Sequence, residues 1–179
     1  MKRDDQSADG LYRRLAANSF VTLYWRRYLL EQTLSQLRDH QYAVVVVDAS
    51  HWETEEDLHQ DIAQALDFPD YYGHNLDALN DCMHDVGAGQ YGAPAVAVGF
   101  VLALTGYDHF ARACPRQAQI VLDIMADQAR SRAVRGRRML CLVHSDDPDI
   151  AFAPVGAMPV MWNRSEWLKA RRRPEAPER

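Results

Sequence analysis

The amino-acid sequence predicts an α/β fold with a small, three-stranded parallel sheet flanked by helices. Three apolar runs that do not alternate with polar residues predict strands buried on both faces, as in a parallel sheet. These runs cover residues 42–49, 95–104 and 137–145. Two helical patterns separate each run from the next, and crossover helices of this kind make neighbouring strands parallel.

Composition places the chain among ordinary globular proteins. It has 179 residues, of which 47% are hydrophobic and 25% are charged. A chain of this length can bury one hydrophobic core without disulfides or a structural metal. Its three cysteines close no disulfide framework and match no zinc-site spacing, so we expect reduced thiols.

The sequence also bears on location. Charged residues interrupt the first twenty positions, and glycines break the longest uncharged stretch, residues 86–107. We therefore expect no secretory signal and no membrane span, and we predict a soluble, cytoplasmic protein.

The segment before the first strand predicts one helix. Four leucines within residues 23–38 recur at spacings of seven, four and three, which form an apolar stripe on a helix.

Two helices are predicted between the first and second strands. Thr54 is a good N-cap for the first, whose opening turn is acidic, and Pro69 ends it. Asn75 is a good N-cap for the second, which the pattern carries to about Met83. A glycine-rich loop at 87–92 then leads to the second strand.

The third strand follows a short helix at 107–113 and a longer one at 117–132. Near the C-terminus, residues 165–173 (SEWLKARRR) predict a short helix with Ser165 as its N-cap. The polar, proline-bearing end of the chain, residues 171–179 (RRRPEAPER), is expected to be disordered.

Charge is distributed unevenly along the chain. Between Gln41 and Asp127 there are fourteen acidic residues and two basic ones, although the net charge of the whole chain is only −5. A negative field over this region disfavours direct nucleic-acid binding and favours a cationic partner. The alternative is that the charge only aids solubility.

Two of these carboxylates share a predicted helix face. Asp77 and Asp81 lie four residues apart on the helix that Asn75 caps, and Tyr71 and Tyr72 come just before it. Carboxylates beside an aromatic ring form a surface suited to arginine, lysine or protonated histidine. A solvated acidic helix face without a partner is the plainer interpretation.

A metal site is the rival hypothesis for the same helix. Spacings of three, four and three separate His74, Asp77, Asp81 and His84, and such a row can present ligands to a divalent ion. The chain would then be a metal-binding protein or a metal-dependent hydrolase. A ligand from a second element would be needed, and His59 or Asp61 is placed to supply it. No nucleophile motif, phosphate-binding loop or dinucleotide fingerprint is present, so apart from this metal hypothesis we expect no catalysis.

Residues 57–83 carry a resemblance to a known family. The stretch DLHQDIAQALDFPDYYGHNLDALNDCM resembles the signature of the barstar family, intracellular inhibitors of a secreted ribonuclease. Weaker similarity extends over residues 40–146, and the family's small parallel sheet with flanking helices matches the predicted fold. The resemblance leaves residues 1–39 as an N-terminal extension with one helix and residues 147–179 as a C-terminal extension.

The resemblance implies a partner and a set of contacts. The partner would be a ribonuclease or nuclease toxin with a basic active site, and the acidic helix would take the place of RNA phosphates. It implies an immunity protein or antitoxin that is monomeric when free and needs no cofactor. The implied partner-binding residues are Tyr71, Asn75, Asp77, Asn80, Asp81 and Asp127.

Two of the motif's positions depart from the family pattern. Asn80 stands where the family has an aromatic residue, and His74 stands where it has an acid. These departures leave the two acidic anchors in place but change their surroundings, so the target is expected to differ in detail.

Overall fold

The structure is a computed structural model that describes residues 7–94 and 96–173. Within these ranges the chain forms six α-helices, five strands and a short 3-10 helix at Lys169–Arg172. In chain order the elements are α1 (Ala8–Ala16), β1 (Val21–Tyr24), α2 (Arg27–Asp39), β2 (Ala43–Asp48), α3 (Glu55–Leu66), α4 (Leu76–Ala88), β3 (Phe100–Thr105), α5 (Tyr107–Ala113), α6 (Pro115–Val134), β4 (Met139–His144) and β5 (Met161–Trp162).

The strands form one sheet in the order β2-β3-β4-β1-β5, and every neighbouring pair is parallel. The α/β fold class with a parallel sheet and flanking helices is therefore confirmed. The sheet has five strands rather than the predicted three. The three predicted strands are β2, β3 and β4, which lie side by side.

The first additional strand, β1, lies where the sequence predicts the start of a helix. Ser19 and Phe20 adopt left-handed backbone angles, with φ of 63° and 64°, and the chain then extends alongside β4. Leu23 belongs to this strand and not to the helical stripe, because α2 begins only at Arg27. The N-terminal segment thus holds two helices and a strand, where one helix was expected.

Helices cover both faces of the sheet. On one face, Leu30, Leu34 and Leu37 of α2 pack with Val101 and Leu140 of the central strands. The alternate strand residues face the other side, where α3, α4, α5 and α6 enclose the larger part of the core. Burial on both faces explains why the strand runs do not alternate with polar residues.

Hydrogen bonds connect the C-terminal segment to the N-terminal segment. The buried carboxylate of Glu166 accepts hydrogen bonds from the backbone amides of Trp25 and Arg26, at 2.9 and 2.8 Å. Arg172 is also buried, and it donates to the carbonyls of Glu166 and Pro148.

The helix expected at 165–173 does not form. Instead a turn at residues 164–166 is followed by the 3-10 helix at Lys169–Arg172, because Leu168 between them has extended backbone angles, with φ of −71° and ψ of 131°. The end predicted to be disordered is residues 171–179, and this is wrong for its first part, because Arg172 is buried in the 3-10 helix. Residues 174–179 lie outside the described residues, as do residues 1–6. One strand comes from each flanking segment, and the three-part division of the chain stays a prediction.

Helix α4 runs five residues past the predicted end at Met83, into the expected glycine-rich loop, and Gly89 closes it in a left-handed conformation with φ of 79°.

In the described part of the chain, no helix combines the length and apolar character that crossing a membrane requires.

Candidate functional site

The candidate site begins where α3 ends and the chain turns toward α4. Thr54 and Asp57 form a capping box that starts α3, in which Oδ2 of Asp57 accepts from the Thr54 amide at 2.9 Å. Asp67 ends α3 in a left-handed conformation, with φ of 53°. The loop that follows carries the two tyrosines to the start of α4.

The adjacent tyrosines have opposite environments. Tyr71 is 81% exposed, whereas Tyr72 is 7% exposed and belongs to the core. The Tyr72 hydroxyl shares a 2.5 Å hydrogen bond with Nδ1 of the buried His59, and its ring packs edge-on against Phe68. Burial raises the pKa of Tyr72, with further contributions from Cys82 and the nearby glutamates. Tyr72 therefore anchors the loop, and only Tyr71 is available to a partner.

Asn75 sets the start of α4. Its Oδ1 accepts a hydrogen bond from the Ala78 amide at 2.9 Å, and its Nδ2 donates to the Gly73 carbonyl at 3.1 Å. The predicted N-cap is confirmed. Both polar ends of the Asn75 side chain form hydrogen bonds within the protein, so helix capping is sufficient to explain why asparagine occupies this position.

Asp77 and Asp81 lie on one exposed face of α4, which we call the acidic face. Neither carboxylate forms an ion pair with any residue in the described ranges. Because α4 continues to Ala88, the half-buried Asp85 extends the same row, and the Tyr91 hydroxyl donates to it at 3.4 Å. The acidic face thus presents two free carboxylates about 5–6 Å apart at the level of their Cβ atoms.

Helix α6 packs beside α4 and engages two of its side chains. Nε2 of Gln128 donates to Oδ1 of Asn80 at 2.9 Å, and Nη2 of Arg132 lies 2.7 Å from Nδ1 of His84. Asn80 is half-buried as a result. Sequence reasoning did not identify Gln128 or Arg132, and no local pattern marks them, because their roles depend on how α6 packs.

The last expected contact, Asp127, lies on α6. Its side chain is exposed and forms an ion pair with Arg130 on the same helix. Unlike Asp77 and Asp81, it already has a cationic partner within the chain.

The four residues of the metal hypothesis do not converge. Nδ1 of His74 lies 3.1 Å from Oε1 of Glu56, and His84 contacts Arg132. Among the described residues, no three ligand atoms of His74, Asp77, Asp81 and His84 approach within 4.8 Å of one another.

The two candidate ligands on helix α3, His59 and Asp61, are already bonded within the chain. His59 is engaged with Tyr72, and Asp61 accepts a hydrogen bond from Nε1 of Trp52 at 2.7 Å. The geometry therefore gives the metal hypothesis no support.

Comparison with known proteins points to the same segment of the chain. The family model described as Barstar (barnase inhibitor) matches residues 42–144, which is more than half of the chain and lies within the range of the expected resemblance. A protein of Bacillus subtilis strain 168, named "Putative ribonuclease inhibitor YrdF", is 54% identical over 39 residues. That match covers 22% of this chain and 43% of the relative, so it spans less than half of the relative's length.

Proposed function

Because this chain belongs to the barstar family, we propose that it inhibits a ribonuclease by covering a basic active site. The acidic face of α4 enters that site, and the carboxylates of Asp77 and Asp81 take the positions of RNA phosphates. Arginine, lysine and histidine side chains of the nuclease then donate charge-assisted hydrogen bonds to them. The protein acts by occlusion, without catalysis and without a cofactor.

The observation that carries this proposal is the state of the two carboxylates. Both are exposed, share one face of a capped helix and lack an ion pair within the described residues. A surface selected only for stability would pair or disperse such charges, since like charges four residues apart destabilise a helix. A cationic partner removes this cost and gains two short, directed contacts.

The fold holds the acidic face ready for binding. The opposite side of α4 buries Leu79, Met83 and Val86 in the core, and Asn75 fixes its first turn. Little conformational entropy is then lost when a partner binds, which favours affinity. Tyr71, exposed just before the helix, supplies an aromatic surface at the edge of the same contact.

The remaining contacts should contribute less. Asn80 is already bonded to Gln128, and Asp127 is paired with Arg130. Binding a nuclease through either side chain requires sharing or breaking an internal interaction. We therefore place the energetic centre of the interface at Asp77 and Asp81.

Inhibition of a barnase-type ribonuclease by the purified protein tests the proposal. We expect stoichiometric inhibition by the natural chain and a loss of at least a hundredfold in Asp81→Asn, because charged hydrogen bonds to a desolvated partner are removed. Asp39→Asn is the matched control. Asp39 is an exposed acid on α2, which covers the opposite face of the sheet, so the same charge change there should leave inhibition intact.

Equal inhibition by the natural chain, Asp81→Asn and Asp39→Asn would show that the acidic face is not the contact. Absence of inhibition by the natural chain against several basic ribonucleases would refute the proposed function itself.

A further inference from the structure

A cleft of about 290 Å³ opens at the other end of α4, beside the amino-terminal ends of β3 and β4. The last turn of α4 forms one wall through Val86 and Gly87, and Phe100 and Arg138 mark the strand ends. Gly87 lies six residues after Asp81 and ten after Asp77, or about 9 and 15 Å along the helix axis. The cleft is therefore separate from the acidic face, although both use the same helix.

Small residues form much of the cleft wall. Four glycines line it, and among its described lining residues there is no carboxylate. A Cβ atom on Gly87 would lie 3.1 Å from the Arg132 side chain, and one on Gly99 would lie 2.6 Å from Tyr42. At these two positions the absence of a side chain lets Arg132 and Tyr42 pack closely against the backbone. The volume is close to the lower limit of ordinary small-molecule sites.

Arginine side chains supply the chemistry of this region. Arg137 lines the cleft and reaches toward the wall at Gly89, where its Nη1 would lie 3.4 Å from an added Cβ. Arg132 runs behind Gly87, is 4% exposed, and its Nε has no hydrogen-bond partner in the described structure. Burial lowers the pKa of Arg132, and the positive charges of Arg135 and Arg137 lower it further.

The positive charge of the arginines near the cleft exceeds the negative charge that the fold places beside them. The carboxyl ends of α4 and α6 each supply about half a negative charge. Asp85 supplies one more charge, and it acts on Arg132. Against this total of about two stand the three charges of Arg132, Arg135 and Arg137. Arg138, by contrast, is neutralised by its ion pair with Asp9.

We propose that this cleft binds the phosphate group of a small molecule no larger than a mononucleotide. Arg137 donates to the phosphate oxygens from the cleft wall, and Arg132 and Arg135 supply the surrounding positive field. Arginine suits this ligand because its planar donors match phosphate oxygens in pairs. Apolar residues that line the cleft, among them Val86, Pro94 and Phe100, can contact the organic part of the molecule.

Titration calorimetry in a chloride buffer of low ionic strength tests this site. The probes are inorganic phosphate and adenosine monophosphate, each added to the full chain. We expect saturable one-to-one binding that weakens roughly tenfold or more in Arg137→Gln, which loses a charged hydrogen bond to the phosphate. The loss should be smaller, roughly twofold, in Arg135→Gln, which removes only a nearby exposed charge. Arg171→Gln removes an exposed arginine elsewhere and should bind as the natural chain does.

Each outcome is decisive. Tighter binding of the mononucleotide assigns the site to a phosphomonoester, and equal binding assigns it to free phosphate. Absence of saturable binding of both probes, or the same loss in Arg171→Gln, overturns the proposal. Asp81→Asn should retain phosphate binding, which keeps this result independent of the ribonuclease experiment.

Discussion

The N-cap of α4 connects the stability of the fold to the acidic face, and Asn75→Ala removes it. The natural side chain accepts a 2.9 Å hydrogen bond from the Ala78 amide and donates one of 3.1 Å to the Gly73 carbonyl. Alanine can make neither bond, so the Ala78 amide and the Gly73 carbonyl must form hydrogen bonds with water instead. The helix would then fray from the end that carries Asp77.

We expect the free energy of unfolding to fall by about 1–2 kcal/mol in Asn75→Ala. Loss of an N-cap costs about 1 kcal/mol, and loss of a second, exposed hydrogen bond adds about 0.5–1 kcal/mol. Asn75→Asp is the matched control, because it keeps the accepting oxygen and places a negative charge at the helix N-terminus. It loses only the bond to Gly73, so we expect a cost of about 0.5 kcal/mol or less.

Urea unfolding followed by circular dichroism measures these differences, with an unchanged m-value showing that the same cooperative unit unfolds. Ribonuclease binding should weaken in the alanine variant as well, since the first turn of α4 must be reordered on binding. Equal stability of Asn75→Ala and Asn75→Asp, within about 0.3 kcal/mol, would refute the argument that this cap holds the helix.

Two further outcomes follow from charge. Association with a basic ribonuclease should slow roughly tenfold or more between low and physiological salt in stopped-flow measurements, because salt screens attraction between opposite charges, and a rate insensitive to salt would contradict the proposed charge complementarity. Hydrogen bonds from the Thr54 hydroxyl and from the Glu53 and Thr54 amides lower the pKa of Asp57 below its usual 3.8. Because the pKa of Asp57 is lower in the folded than in the unfolded chain, its ionised carboxylate stabilises the fold at pH values above the unfolded-state pKa. This stabilisation is lost as the pH falls through the folded-state pKa. The Tm of Asp57→Asn should therefore decline less steeply below about pH 4. A decline as steep as in the natural chain would show that this carboxylate does not contribute.

Helices α3 and α4 were predictable because the signals that start them are local. Thr54 and Asn75 act within three residues of their own positions, and both cap as the sequence indicates. Strand β1 was not predictable in this way. Its four residues acquire strand structure from pairing with β4, which lies far along the chain, and Leu23 continues a helical spacing by coincidence.

The residues of the candidate site also differ in whether local sequence signals predict their roles. Spacing alone places Asp77 and Asp81 on one face, whereas the burial of Tyr72 beside the exposed Tyr71 follows from how the loop packs on the core. The interactions of Asn80 and His84 with α6 follow instead from helix packing. Residue type at such positions indicates only a capacity for hydrogen bonding, which several neighbours could satisfy.

Asp81 is the residue at which stability and the proposed function oppose each other most directly. Asp77 lies in the first turn of α4, where the helix dipole favours a negative charge, but Asp81 lies beyond that turn. It also has an acid four residues away on each side, Asp77 and Asp85, and each like-charged pair costs about 0.2–0.5 kcal/mol. The Asp81→Asn variant that is expected to lose inhibition should therefore be slightly more stable than the natural chain. A stabilised variant that no longer inhibits would exclude misfolding as the cause, and a destabilised one would mean that Asp81 has a structural role on this face.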